Sequence, residues 1–297
     1  MTFERGDQKV LMSDWTRYLP ERFRAPVVPV VRLSGTIGAV TPLRPGLTLA
    51  GVSKTLDKAF ETKRAQAVAL VINSPGGSPV QSRQIYTRIR QLAAAKGIPV
   101  LAFVEDVAAS GGYMIACAAD EIFCDPSSIL GSVGVIGGTF GFQDFIKRFG
   151  IERRIYTSGE HKSSLDPFLP ENPDDVARLK AIQRDIHDDF IALVKRSRGA
   201  RLKGEEAYLF SGEYWAGNRS IELGLADAIG DLRGVLRARF GETVRMPVIA
   251  PKSGLLANLS GRKPGAGAMI AAGLGAGLGD DLISAIEARA LWARYGL

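Results

Sequence analysis

Ile98-Pro99-Val100-Leu101-Ala102-Phe103-Val104 is an apolar run that reads as a buried strand, and Ala109-Ser110-Gly111-Gly112-Tyr113 follows it. The latter opens the helix-compatible stretch Tyr113-Met114-Ile115-Ala116-Cys117-Ala118-Ala119. A strand ends, the chain turns sharply, and a serine stands where a helix begins. At such a point free backbone N–H groups and the helix dipole can stabilise an oxyanion. A second apolar strand, Val68-Ala69-Leu70-Val71-Ile72, leads into a second glycine-rich turn, Asn73-Ser74-Pro75-Gly76-Gly77. Two such turns at one sheet edge would supply the two N–H donors that acyl transfer needs. Taken alone, Asn73–Gly77 is equally well a tight turn without chemistry.

Further strands are expected at 27–33, 121–124 and 151–156. Helices are expected at 49–61, 81–96 and 173–196, the second with Ile85, Ile89 and Leu92 on one face and Gly97 closing it. Asn172, Pro173, Asp174 and Asp175 form a start signal for the third. Shorter helices are expected near 203–208, 214–223 and 231–240, with a short strand near 244–248. Strands alternating with helices imply an α/β fold with a mainly parallel sheet.

At 297 residues and 46% hydrophobic, the chain can bury a sizeable core. Its net charge of +7 favours anionic membrane surfaces or acidic partners, or equally is a solvated basic surface, since Lys and Arg are scattered without a long basic block; no nucleic-acid partner is expected. Residues 1–25 carry charges every few positions and lack the apolar run of about 7–15 residues of a secretory signal. No run of about 18 apolar residues marks a membrane span. A cytoplasmic location, or a peripheral one on an inner membrane, is therefore expected. Val10, Leu11, Trp15, Tyr18 and Leu19 share one helical face, which suits peripheral membrane contact or packing on the protein itself or on a neighbouring subunit. Cys117 and Cys124 read as buried free thiols. With two cysteines and two histidines, neither a zinc site nor any other metal or cofactor is expected.

Ser110 needs a base to become a nucleophile. His187 falls near the polar side of the long helix and reads as a surface residue. His161 and Lys162 lie in the loop Thr157-Ser158-Gly159-Glu160-His161-Lys162-Ser163-Ser164-Leu165-Asp166-Pro167-Phe168. A lysine acts as a base when desolvation lowers its pKa from about 10.4 toward about 7–8.

Four segments in order, Asn73–Gly77, Ala109–Tyr113, Gly131-Ser132-Val133-Gly134-Val135 and Ser158-Gly159-Glu160-His161-Lys162, resemble the signal peptide peptidase family, SppA/SohB type. These are Ser–Lys peptidases of the ClpP/crotonase superfamily. The resemblance covers roughly residues 26–245. It implies a ClpP/crotonase-like spiral core of strand-strand-helix units. It also implies Ser110 as nucleophile, Lys162 as general base, Gly77 and Gly111 as the oxyanion hole, and Ser132 as the hydroxyl that orients the lysine. Peptide substrates, such as released signal peptides or unfolded apolar segments, and a homo-oligomeric ring follow from the same resemblance. So does an N-terminal membrane anchor, for which these residues show no apolar span. It makes His161 a flank of Lys162 rather than the base.

Three parts are expected: an N-terminal amphipathic segment (1–25), a Ser–Lys peptidase domain (26–250) and a Gly/Ala-rich C-terminal extension (251–297). The extension could lie in a cleft as a product-like inhibitor or serve as an oligomer-stabilising arm. Two other functions stay open at this point, a crotonase-type acyl-CoA enzyme and a non-catalytic membrane-associated scaffold.

Overall fold

The computed structural model describes residues 25–38, 46–250 and 289–297. The amphipathic stretch 10–19 and most of the Gly/Ala-rich extension lie outside them. The strands are β1 (Val30–Ser34), β2 (Val68–Ser74), β3 (Val100–Ala109), β4 (Glu121–Cys124), β5 (Ile129–Gly131), β6 (Tyr214–Ala216) and β7 (Ala228–Ile229). The helices are α1 (Leu49–Phe60), α2 (Pro79–Lys96), α3 (Gly111–Ala116), α4 (Gln143–Arg148), α5 (Pro173–Arg198), α6 (Glu206–Leu209), α7 (Gly217–Glu222) and α8 (Leu232–Phe240).

Strands β1-β2-β3-β4-β7 form a parallel sheet in that order. Its central strand, β3, is ten residues long and serves two neighbours in turn. Leu101–Val104 pair with β4, whereas Val107–Ala109 pair with β5. Among the described residues the one antiparallel strand pair of the sheet is β5 with β6. The fold is thus α/β with a mainly parallel sheet, as the alternation of strands and helices implies.

Both faces of the sheet are covered, so its strands are apolar nearly throughout. Val31, Leu33, Leu70, Ile72, Ala102 and Val104 belong to the larger core, which also holds Leu56, Ile85, Ile89 and Ile115 from the helices. Alternate residues Val30, Ala69, Val71, Leu101 and Phe103 face Leu236 of α8. Helix signals hold locally. The Ser78 hydroxyl accepts from Gln81 N at the start of α2, and Gly97 ends it in the left-handed region at φ 63°. The Asn172 side chain accepts from Asp174 N at the start of α5.

Three expected elements differ. Residues 151–156 form no strand: Glu152 and Arg154 pair with each other, Arg153 pairs with Asp166, and no strand among the described residues pairs with them. The 214–223 stretch begins as β6 and becomes helical only at Gly217, because Tyr214–Ala216 find β5 as a partner. Near 244–248 the chain makes isolated bridges, Arg245 to Val27 and Val248 to Val30. Among the described residues no helix is long and apolar enough to cross a membrane.

Candidate active site

Ser110 stands between the last residue of β3 and the first of α3. Its backbone is at φ 52° and ψ −121°, a region costly for any residue with a Cβ. Neighbours hold it there. Its N–H donates to Gly131 O at 2.8 Å, and its C=O accepts from Met114 N at 2.9 Å to close the first turn of α3. Farther along, Tyr113 is fully buried and its hydroxyl donates to Leu225 O at 2.9 Å, which ties α3 to the chain after α7. Burial pushes the Tyr113 phenol well above its ordinary pKa, so it acts as a fixed neutral donor.

The Asn73–Gly77 turn packs directly on this serine. Gly76 has φ 104°, and a Cβ built there would lie 2.8 Å from Ser110 Cβ, 2.9 Å from Ala109 O and 3.0 Å from Gly111 N. Only glycine lets the two turns meet this closely. The next residue is pinned from the other side: Ile37 N donates to Gly76 O, and Ser78 N donates to Ile37 O. Gly76 N–H is used by Ser74 Oγ at 3.3 Å. Among the described residues, neither Gly77 N–H nor Gly111 N–H donates to another group. Two unused donors therefore flank a half-buried serine hydroxyl, which also makes no hydrogen bond among the described residues. Such a group of donors can receive the negative oxygen that forms when a carbonyl is attacked.

Ser132 belongs to the same corner. Ala109 and Gly131 are register partners at the ends of β3 and β5, so Ser110 and Ser132 begin adjacent turns. Ser132 is buried, has φ 52°, and donates its N–H to Glu213 O at 2.7 Å. Of the four described non-glycine residues with positive φ, two are these serines and a third, Leu165, lies in the Lys162 loop.

The structure brings Ser110, Gly111, Gly77 and Ser132 together and does not join Lys162 to them. Lys162 lies on an exposed loop, where its N–H donates to Gly159 O at 3.3 Å. Its side chain makes no hydrogen bond or ion pair among the described residues. That loop is nonetheless tethered. Ser164 Oγ and Leu165 N both donate to the Asp175 carboxylate in the first turn of α5, and Arg178 also binds it. Burial works against that carboxylate, but these donors hold its pKa below the usual value. In sequence, Asp175 carried only a helix-start signal and Ser164 none.

His187 is also closer to the site than its place on the helix implied. Its ring Nε2 lies 3.0 Å from Val133 O, beside Ser132. Both cysteines are buried and free, as expected, and burial pushes each thiol up to about 11. Neither is poised as a nucleophile. A cleft of about 540 Å³ lined by Arg32, Phe103, Cys124, Asp125 and Asp231 contains none of the predicted site residues.

Comparison with known proteins places the serine turn and the lysine loop in a family. The family described as "Peptidase family S49" matches residues 93–240, which include Ser110, Gly111, Ser132 and Lys162. A "Na(+)/H(+) antiporter NhaA" of Brucella abortus is 52% identical over 285 residues, or 95% of this chain. The chain spans only 39% of that protein's length, and the antiporter name is said of the Brucella protein. A putative protease of Synechocystis is 30% identical over 62% of this chain and 67% of its own length. The "Probable protease SohB" of Buchnera aphidicola is 34% identical over 52% of this chain and 44% of its own. With a protease relative matched over two thirds of its length, and the family's match spanning the serine turn and the lysine loop, this chain belongs to peptidase family S49.

Proposed function

We propose that the protein is a serine endopeptidase that uses a Ser–Lys dyad on short, extended, mainly apolar peptides, released signal peptides among them. The observation that carries this is the Ser110 turn: a strained, half-buried serine beside the two unused N–H donors of Gly77 and Gly111. Ser110 Oγ attacks the peptide carbonyl as neutral Lys162 Nζ takes its proton. Gly77 and Gly111 N–H bind the oxyanion. The C–N bond then breaks, Lys162 returns the proton to the leaving amine, and water hydrolyses the acyl-enzyme by the same route. Ser132 Oγ accepts a hydrogen bond from the lysine and orients it without adding charge. Substrate adds to the site as a strand, main chain to main chain.

A lysine base works in its neutral form, which burial favours. In the single chain Lys162 is exposed, and so are Ile136 at 74%, Phe140 at 70% and Phe149 at 66% on the same connection. Apolar surface of this kind calls for a cover. A homo-oligomeric ring, with a second copy packed on this connection, would bury the lysine and complete the site.

The test is hydrolysis of a fluorogenic apolar peptide panel by wild type, Ser110→Ala and Lys162→Ala across about pH 6–10, with oligomeric size measured in parallel. Silence of both folded variants, with wild-type activity rising at a pH well below the free-lysine value of about 10.4, is expected. Full activity in Ser110→Ala overturns the proposal.

A further inference from the structure

Residues 289–297 lie against the body of the protein and pack on the nucleophile's strand. Residues 289–293 are helical, and Gly296 ends the segment at φ 76°. Tyr295 is buried to 7% exposure in a cluster with Val107 and Ala109, and Trp292 and Ile129 pack against it. Tyr214 closes the contact: its hydroxyl donates to Arg294 O at 3.1 Å, and its ring meets that of Tyr295 edge-on, with centroids 4.9 Å apart. These partners are not scattered. Val107 and Ala109 are the end of β3 immediately before Ser110, Ile129 begins β5 just before Ser132, and Tyr214 begins β6 opposite Gly131. The segment therefore touches all three strands from which the site's two serine turns are hung.

We propose that residues 289–297, through Tyr295 and Trp292, are a positioning element that sets the geometry of the Ser110 turn for catalysis. The proposal rests on the peptidase reading above. Physically, the end of β3 beyond the fork has the three-residue strand β5 in place of β4 on one side and only the single, register-shifted Ser74–Ala108 pairing with β2 on the other, and it leads into a residue at φ 52°. A strained turn persists only when its surroundings over-determine it. Packing from Tyr295 on the buried side chains of Val107 and Ala109 supplies that support without touching substrate.

The experiment compares the full-length wild type, Tyr295→Ala and Tyr295→Phe. Three quantities are read: kcat and KM on a fluorogenic peptide, the rate at which a fluorophosphonate labels Ser110, and hydrogen exchange in peptides spanning 104–116 and 127–134. Thermal unfolding midpoints are recorded alongside. Tyr295→Ala should lower kcat and the labelling rate by about 10-fold or more with KM changed less, because small displacements of reacting groups cost this much. Exchange should quicken in the two site peptides and stay unchanged in α1 and α2. Tyr295→Phe should restore all three readouts, since the Tyr295 hydroxyl makes no hydrogen bond among the described residues. Unchanged exchange at 104–116, or faster exchange with wild-type kcat and labelling, overturns the proposal. So does global acceleration of exchange in Tyr295→Ala, which would mark a general stability role. A rise in kcat overturns it in favour of an inhibitory tail. A wild type silent toward both peptide and probe sinks the peptidase reading instead, and exchange then decides the docking claim alone.

Discussion

Replacing Gly76 by alanine tests the central geometric claim, that two glycine-rich turns meet at the nucleophile. The new methyl would stand 2.8 Å from Ser110 Cβ, 2.9 Å from Ala109 O and 3.0 Å from Gly111 N. None of these atoms is the far end of a flexible side chain, so none can swing aside. To reach ordinary contact at 3.4 Å, Ser110 Cβ must retreat by about 0.6 Å. An L-residue at φ 104° adds strain of about 1–3 kcal/mol. A misplacement near 1 Å costs up to about 100-fold in rate, so kcat should fall by about 10- to 100-fold. The assay is the initial rate on a saturating fluorogenic peptide, with urea unfolding on the same samples. Gly97→Ala is the control. It too carries positive φ, 63°, but a methyl there meets nothing within 4 Å. It should lose about 1 kcal/mol of stability and keep its kcat. A folded Gly76→Ala protein with kcat within about twofold of wild type would refute the reasoning.

Other consequences are independent of that turn. Arg198 has a fully buried side chain held by Asp227 through two bonds of 2.8 and 2.9 Å, with Gly224 O at 2.8 Å. Asp227→Asn should therefore cost about 3–5 kcal/mol at pH 7 in urea unfolding, and a loss below about 1 kcal/mol would contradict the pairing. Burial opposes ionisation of Asp227, but Arg198 and Ile122 N hold its pKa below the ordinary value. Its contribution is then present above the unfolded pKa of about 3.9 and lost as pH falls through the lower folded value, so the two proteins should converge in stability below about pH 4. Cys117 and Cys124 should resist iodoacetamide at pH 8 in the folded state and react in urea; rapid labelling of folded protein would count against their burial. Asp175→Asn should loosen the Lys162 loop, lowering kcat several-fold with a stability loss under about 1 kcal/mol. Unchanged kcat there would remove the loop tether from the catalytic account.

The α/β class, the long strands β2 and β3 and the helices α1, α2 and α5 were legible before any coordinates, because each carries its signal locally. Apolar runs of strand length, Asn172 and Gly97 at helix ends, and three-and-four spacing are properties of a few neighbouring residues. The serine turn was legible for the same reason: a serine between a strand and glycines leaves little else for the backbone to do. Residues 151–156 misled because a strand needs a partner edge, and sequence carries no record of whether one is near. Tertiary structure alone decided the rest. It paired β3 with β4 and then β5, set Gly76 against Ser110, placed His187 beside Val133, tethered the lysine loop through Asp175 and seated Tyr295 under Ala109. Each of these joins residues distant in the chain, and such contacts are set by packing around a common core rather than by the preferences of any short segment.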